Sequence, residues 1–260
     1  MSVTAPMTFD ISQTRPVPFA RMVSVEIRKM ADTRAGIWLL GLTVLVTAAF
    51  MIIFFFVADS DERIFGNFIG IAATPQGFVL PVLGILLITS EWGQRTAMVT
   101  FALEPSRSKV IAAKVVAALI LGLGAFVAAI ALASIGTLLG GADGGFDDLK
   151  LTTFLLFLGL QILSLLQGLA YGLIFLNTPA AIVTFFVLPI ASSIIFSVVP
   201  ALEDSAPWVD LGTAQQPLFE LGAGGEITGE QLAHLGTTSL IWIILPFVIG
   251  LVRVMRAELK

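Results

Sequence analysis

Two groups of charged residues in this chain have the types and spacing for chemistry. Asp143, Asp147 and Asp148 gather enough carboxylate to attract a divalent cation, and Glu91 and Arg95 stand four apart, the interval at which a helix pairs opposite charges. The aspartates read better as a solvated loop end, so no metal site is expected. Glu91 and Arg95 belong to a more unusual segment, 90–114 (SEWGQRTAMVTFALEPSRSKVIAAK), which puts six charges between two long apolar runs. Trp92, Thr96, Val99 and Leu103 share another face of the same helical reading. Glu104-Pro105 should stop this helix, because the residue before proline is disfavoured in the helical region, and Ser106 can cap a following helix from about Arg107. Such a piece makes or breaks no bond. It can dock.

The elements that position it are apolar. With 57% hydrophobic and 12% charged residues, the chain holds several runs near the roughly 20 residues that cross a hydrocarbon core, which excludes a water-soluble fold. Six spans are expected, at about 36–57, 68–89, 110–139, 151–176, 180–199 and 235–252, with the last the shortest. The fold class is therefore an all-α membrane protein, one transmembrane domain over 16–260 behind a disordered leader at 1–15. That leader lacks the apolar core of a signal peptide.

Lys and Arg concentrate on the cytoplasmic side of membrane proteins. Only Arg63 and Lys150, of 14 basic residues, fall on the side opposite to the 90–114 segment. Both termini and that segment are thus expected in the cytoplasm, and the acidic residues of the three other loops outside. The net charge of −4 averages two unlike surfaces and gives no reason to expect nucleic acid.

Ahead of the first span, Phe19, Met22, Val23, Ile27 and Met30 recur at helical spacing, with Arg21, Ser24, Arg28 and Lys29 between them. This predicts an amphipathic helix lying in the headgroup layer, or packed on a soluble partner. Asn177, Thr178 and Pro179 make a tight uncharged turn between spans 4 and 5. The connection 200–234 is long enough to carry structure of its own, and short helices dipping towards the membrane are expected there, with Trp208 near the interface. The glycine-rich stretch 222–229 suits a mobile loop better.

Much chemistry is missing. There is no cysteine, one histidine (His234), and no phosphate loop of the G-x-x-x-x-G-K-[ST] kind. The span interiors carry no ionisable residue, which argues against a proton- or sodium-driven carrier. Clustered catalytic groups at a membrane edge are lacking too, so no catalytic residue is assigned and the chain is not expected to be an enzyme. What the spans hold is uncharged polarity: Gln161, Ser164, Gln167 and Tyr171 in span 4, Thr184, Ser192, Ser193 and Ser197 in span 5. Such residues line a path or bond helix to helix, the second being the commoner use. Gly66/Gly70, Gly136/Gly140 and Gly168/Gly172 match G-x-x-x-G, a weak signal among 24 glycines, and Pro75, Pro81, Pro189 and Pro246 can bend spans 2, 5 and 6.

The layout resembles the permease subunit of type-2 ATP-binding-cassette (ABC) transporters, found in bacterial drug, lipid and polysaccharide exporters. The resemblance runs from about Phe19 to Lys260. It rests on the helix before span 1, the segment ITSEWGQRTAMVTFALEPSRSKVIAAK with its SEW…RT…T…P-x-R…AK spacing, the short turn at 177–179, the long loop before span 6 and the basic tail RVMRAELK. It implies that the helix at 91–103 is a coupling helix docking on a separate ATPase subunit, with Glu91, Trp92, Gln94, Arg95, Thr96 and Phe101 as contacts and Arg107 and Lys109 flanking near the headgroups. Asn177, Thr178 and Pro179 would form a second contact, and the helix at 19–34 a connecting helix.

The resemblance further implies two permease halves, as homodimer or heterodimer, on two ATPase subunits in the cell membrane. Spans 2 and 5 would face the dimer axis, making Thr74, Gln76, Ser192 and Ser193 candidates for the substrate path. ATP and Mg would be bound by the ATPase, and no cofactor by this chain. The expected function is ATP-driven export of a drug, lipid or peptide-like substrate. A non-transporting membrane scaffold or sensor that anchors a cytoplasmic partner through the same segment is the alternative.

Overall fold

The computed structural model describes residues 17–147, 149–220 and 227–257, and among these the chain is helical with no strand. The expected leader at 1–15 lies outside the described residues, as do Asp148, Lys260 and most of the glycine-rich stretch 222–229. In chain order the helices are α1 (Phe19–Asp32), α2 (Arg34–Val57), α3 (Phe65–Gly93), α4 (Ala97–Leu103), α5 (Arg107–Gly140), α6 (Leu151–Phe175) and α7 (Thr178–Val198). A 3₁₀ turn (Pro200–Ser205), α8 (Ala206–Val209), α9 (Leu211–Glu220), α10 (Gly229–Ser239), a π-helical turn (Leu240–Ile244) and α11 (Leu245–Arg256) complete it.

Six of these helical runs are long and apolar enough to cross a membrane: α2, α3, α5, α6, α7 and the continuous Gly229–Arg256. Even the shortest, α7 with 21 residues, reaches roughly 32 Å at 1.5 Å per residue, enough for the hydrocarbon core. The last run is longer than the span expected at 235–252, because Thr228 and Gln231 close a capping box that starts the helix earlier. The π turn carries that helix on into α11.

Local sequence sets the other boundaries. Thr33 accepts a hydrogen bond from the Gly36 amide and begins α2; Asn177 accepts one from Ala180, with proline in the first turn of α7. Gly141, at φ 63°, ends α5 in the left-handed conformation. Ser106, expected to cap α5, makes no capping bond; its hydroxyl meets that of Ser108 instead.

α3 and α6 form the middle of the bundle. A Cβ on Gly168 would run into the backbone of Pro81, one on Gly172 would press on Ile85 and Ile88, and Gly84 of α3 faces the Leu165 carbonyl. The missing side chains let the two backbones close, and Leu80, Leu83, Leu87, Leu165, Leu169 and Leu173 seal the seam. Gln76 donates to the Ala125 carbonyl at 3.0 Å and Gln161 to that of Gly122 at 2.6 Å, tying α3 and α6 to α5. α2 and α7 lie outside this middle, with few of their side chains buried.

The bundle has two unlike ends. One gathers α1, the end of α3, α4, the start of α5, the α6–α7 turn and the end of α11; it carries most of the basic residues and is called the basic end below. The other holds the α2–α3 and α5–α6 links and the folded connection from α7 to α10. There α9 buries Leu211, Ala214 and Leu218, and Trp242 of the π turn donates to the Val209 carbonyl at 2.7 Å.

Candidate functional site

The segment 90–114 is not one helix from Glu91 onward. α3 runs on to Gly93, residues 94–96 turn, and α4 begins at Ala97, so Glu91 and Arg95 do not share a helix and make no ion pair. Arg95 takes φ 59°, a left-handed conformation costly for a residue with a Cβ, and its side chain is exposed. The Thr96 amide returns to the Glu91 carbonyl at 2.8 Å, fastening the turn. α4 ends at Leu103, where Glu104-Pro105 was expected to stop it.

Glu91 finds other partners. Its Oε1 accepts from Lys29 of α1 at 2.5 Å and from Thr100 of α4 at 3.1 Å, and lies 3.3 Å from Lys114 of α5. Lys114 also bonds Glu26 at 2.7 Å and the Leu87 carbonyl at 2.9 Å, while Lys29 bonds Glu26 at 2.6 Å. Two carboxylates and two ammonium groups thus close a neutral cluster joining four helices. The side chains of Glu26, Glu91 and Lys114 are only 6%, 8% and 3% exposed, so each charge depends on its partners rather than on water. Burial alone would lower the pKa of Lys29; its hydrogen bonds and charge attraction to Glu26 and Glu91 outweigh that and raise it.

Glu26 is the member that sequence reasoning missed. It sits with Val23 and Met30 on one stripe of α1, and that stripe packs on Ala113 and Ala117 of α5 and on the end of α3 instead of turning wholly to a headgroup layer. A carboxylate at that place in the stripe, and Lys114 four residues into an apolar run, were the signals available: each is a charge that burial obliges to find a partner.

α4 is held on its inner side and open on its outer one. Ala97 and Phe101 are buried, Phe101 against Trp92 at 6.4 Å between ring centroids and under the Arg107 guanidinium at 5.3 Å. Arg107 donates to the Val254 and Ala257 carbonyls at 2.6 and 2.8 Å, fixing the start of α5 to the end of α11. Gln94, Arg95, Thr96, Met98, Val99 and Leu103 are exposed. Of the six contacts inferred from sequence, then, Glu91 and Phe101 face inward, Trp92 is half-buried, and Gln94, Arg95 and Thr96 face out. Between α4 and the α1–α2 elbow lies a cavity of about 470 Å³, with Glu26, Lys29 and Glu91 in its wall and Thr178 at its edge.

The α6–α7 turn joins this region. Thr178 and Thr89 share a hydrogen bond of 2.7 Å, Asn177 and Pro179 are exposed, and Leu176 makes the turn at φ 51°. The turn therefore sits beside the end of α3 and borders the same cavity as α4.

The four path candidates separate. Gln76 is 3% exposed and occupied by α5; Thr74 is exposed on α3 near Phe78, which stacks on Phe186 of α7. Ser192 and Ser193 donate to Asp210 at 2.8 and 3.0 Å. Asp210, 1% exposed, had been expected in water with the outer acids; it also takes the Thr213 amide and hydroxyl, both at 2.9 Å. Asp143 and Asp147 lie on an exposed turn, and no group of three metal-binding side chains occurs among the described residues.

The basic end thus presents a short helix whose inner side is fixed by ions and aromatic rings and whose outer side is exposed, with a second exposed turn beside it. Nucleophile, base and metal ligand are not brought together there; rigid presentation is what the geometry offers. Compared with models of known protein families the chain matches none, and comparison with curated proteins gives no significant match.

Proposed function

We propose that this chain is the membrane-spanning subunit of an ATP-driven transporter of the type-2 ABC kind, and that α4 is the helix on which a separate ATPase subunit pulls. The observation that carries the reading is the clamped α4: a seven-residue helix outside the apolar bundle, tied through Glu91 to α1, α3 and α5 and exposing Met98, Val99 and Leu103 beside Arg95 of the preceding turn. A helix that passes force must be stiff towards its own chain and open towards the driver, and α4 is fixed on its inner side and exposed on its outer one. The sequence holds no phosphate loop, so energy for work would enter from a partner. Asn177 and Pro179, exposed one hydrogen bond from the end of α3, supply the second contact.

In this reading the basic end is cytoplasmic, in keeping with the distribution of Lys and Arg. α1 serves as the connecting helix, its inner stripe on α5 and its Arg21 and Arg28 exposed to headgroups. Two copies, or this chain and a relative, meet along the face where Thr74 and Phe78 of α3 adjoin Phe186 of α7, and an amphipathic cargo moves between them. Gln76, Ser192 and Ser193 hold helices together and leave the path.

The test is reconstitution of the full chain with its phosphate-loop ATPase in vesicles, read as complex formation and ATP-dependent flux of an amphipathic dye. The pair R95E and V99E, on the exposed side of α4, should abolish assembly and flux while thermal unfolding stays unchanged. Wild-type flux in that variant sinks the docking assignment. Assembly without any flux in the unmodified protein makes the chain a scaffold.

A further inference from the structure

At the end opposite α4, α2 and α5 stand apart over Phe68 of α3 and leave a groove of about 340 Å³. Ala48, Met51 and Phe56 form one wall, Ile135 and Leu139 the other, and the lining is almost wholly apolar. The fully buried Phe68 is its floor. Gly136 lies directly over that ring, where a Cβ would come within 2.8 Å of it. Along α2 the groove extends from Ala48 to Phe56, just short of the helix end at Val57, roughly 12 Å at the helical rise and a little under half of a hydrocarbon core. Its depth and direction match one leaflet.

The mouth of the groove is charged in a particular order. Arg63 follows α2 by a short link and is half-buried, its guanidinium 4.8 Å from the centroid of Phe55, which also lines the groove. Its Nε and Nη2 donate to the Ala58 carbonyl at 3.2 and 3.0 Å; a guanidinium has five N–H donors, and Arg63 meets no other acceptor among the described residues. Asp59, Asp61 and Glu62, all exposed, lie in the same link between α2 and α3. A cation beside an apolar slot, with exposed carboxylates in the same short link, is a charge set that complements a phosphate and an ammonium.

We propose that this groove binds one molecule of an amine-bearing zwitterionic phospholipid, with an acyl chain between α2 and α5, the phosphate on Arg63 and the ammonium among Asp59, Asp61 and Glu62. The slot needs an occupant because a gap between lipid-facing helices forfeits dispersion contacts that a tail restores. An anionic headgroup would place its second polar end against three carboxylates, and free phosphate would leave the slot empty. The site rests on the six membrane-crossing helices and not on the ATPase reading.

The full chain, purified in mild detergent and stripped of lipid, is titrated with phosphatidylethanolamine or phosphatidylglycerol and examined by native mass spectrometry. One retained phosphatidylethanolamine is expected, held about tenfold more tightly than phosphatidylglycerol, the scale of a hydrogen bond to a charged group. Replacing Asp59, Asp61 and Glu62 by their amides should lose that selectivity, R63Q should weaken retention of both lipids alike, and A48F, which fills the slot from a half-buried wall, should lose retention, with thermal unfolding as the folding control. I135F on the half-exposed opposite wall repeats the test should A48F unfold. Equal retention of the two lipids, or unchanged retention in a folded slot-filling variant, overturns the site.

Discussion

The chain buries carboxylates at both ends of its bundle and satisfies them by opposite means. At the basic end Glu26 and Glu91 are met by the ammonium groups of Lys29 and Lys114, charge against charge, across three helices. At the far end Asp210 meets no cation among the described residues; the hydroxyls of Ser192, Ser193 and Thr213 and one backbone amide share its charge. An ionic cluster has long reach and binds separate elements, but it fails sharply when one member is removed, because the survivors stay buried and unpaired. A carboxylate held by hydroxyl donors caps a single helix, α9, and fails by degrees. The first arrangement suits a joint under load, the second a lid kept in place.

The sharpest break of this contrast is Lys114→Met. It strips both carboxylates of the more deeply buried of their two shared partners, and thermal unfolding in detergent should show a loss of about 3–5 kcal/mol, the usual cost of opening a buried ion pair from one side. Asp210→Ala should cost less, about 2–3 kcal/mol, the sum of a lost cap and unmet donors. Smaller again is Ser192→Ala, about 1 kcal/mol in the same measurement, since Ser193 and Thr213 still serve Asp210. A loss for Ser192→Ala as large as that for Lys114→Met would erase the distinction between the two ends.

The finest effect is one of pH. The pKa of Lys29 in the folded chain is raised above its ordinary value of 10.5, so its contribution to stability is complete below that value and disappears as pH climbs through the folded one. An alkaline scan of the unfolding temperature should fall more steeply in the wild type than in Lys29→Gln. Lys29 is 38% exposed and solvent screens it, so the difference should be small. Parallel curves would show that Lys29 is dispensable to the cluster.

The spans were legible because twenty apolar residues have few other uses, and the expected starts and ends fall within a few residues of the helices except in the last span. The gap between α3 and α4 was not: nothing about Arg95 announces a positive φ, a role usually given to glycine, so a charged helix from Glu91 was the natural reading. Glu26 was hidden by its own helix, where the apolar residues drew the eye to the stripe and away from the one charge on it. Asp210 was hidden by distance, its partners Ser192 and Ser193 lying 18 and 17 residues back on a different helix. In sequence the polar residues of α3 and α6 could line a path or bond helix to helix, the second being the commoner use; the Ala125 and Gly122 carbonyls of α5 show Gln76 and Gln161 in that second use.

The seam itself determines where this molecule can give way. Gly168 lies against the Pro81 backbone with no side chain between, so α3 and α6 have no cushion along which to slide and must tilt as one beam. α2 and α7, with few buried side chains, are attached to that beam like loose staves. In the proposed reading a pull on α4 would enter the beam at the end of α3, and its displacement would grow with distance along a stiff pair of helices. The travel would be least beside the ion cluster and greatest at the far end, where α9 and the Arg63 link would feel it as a swing.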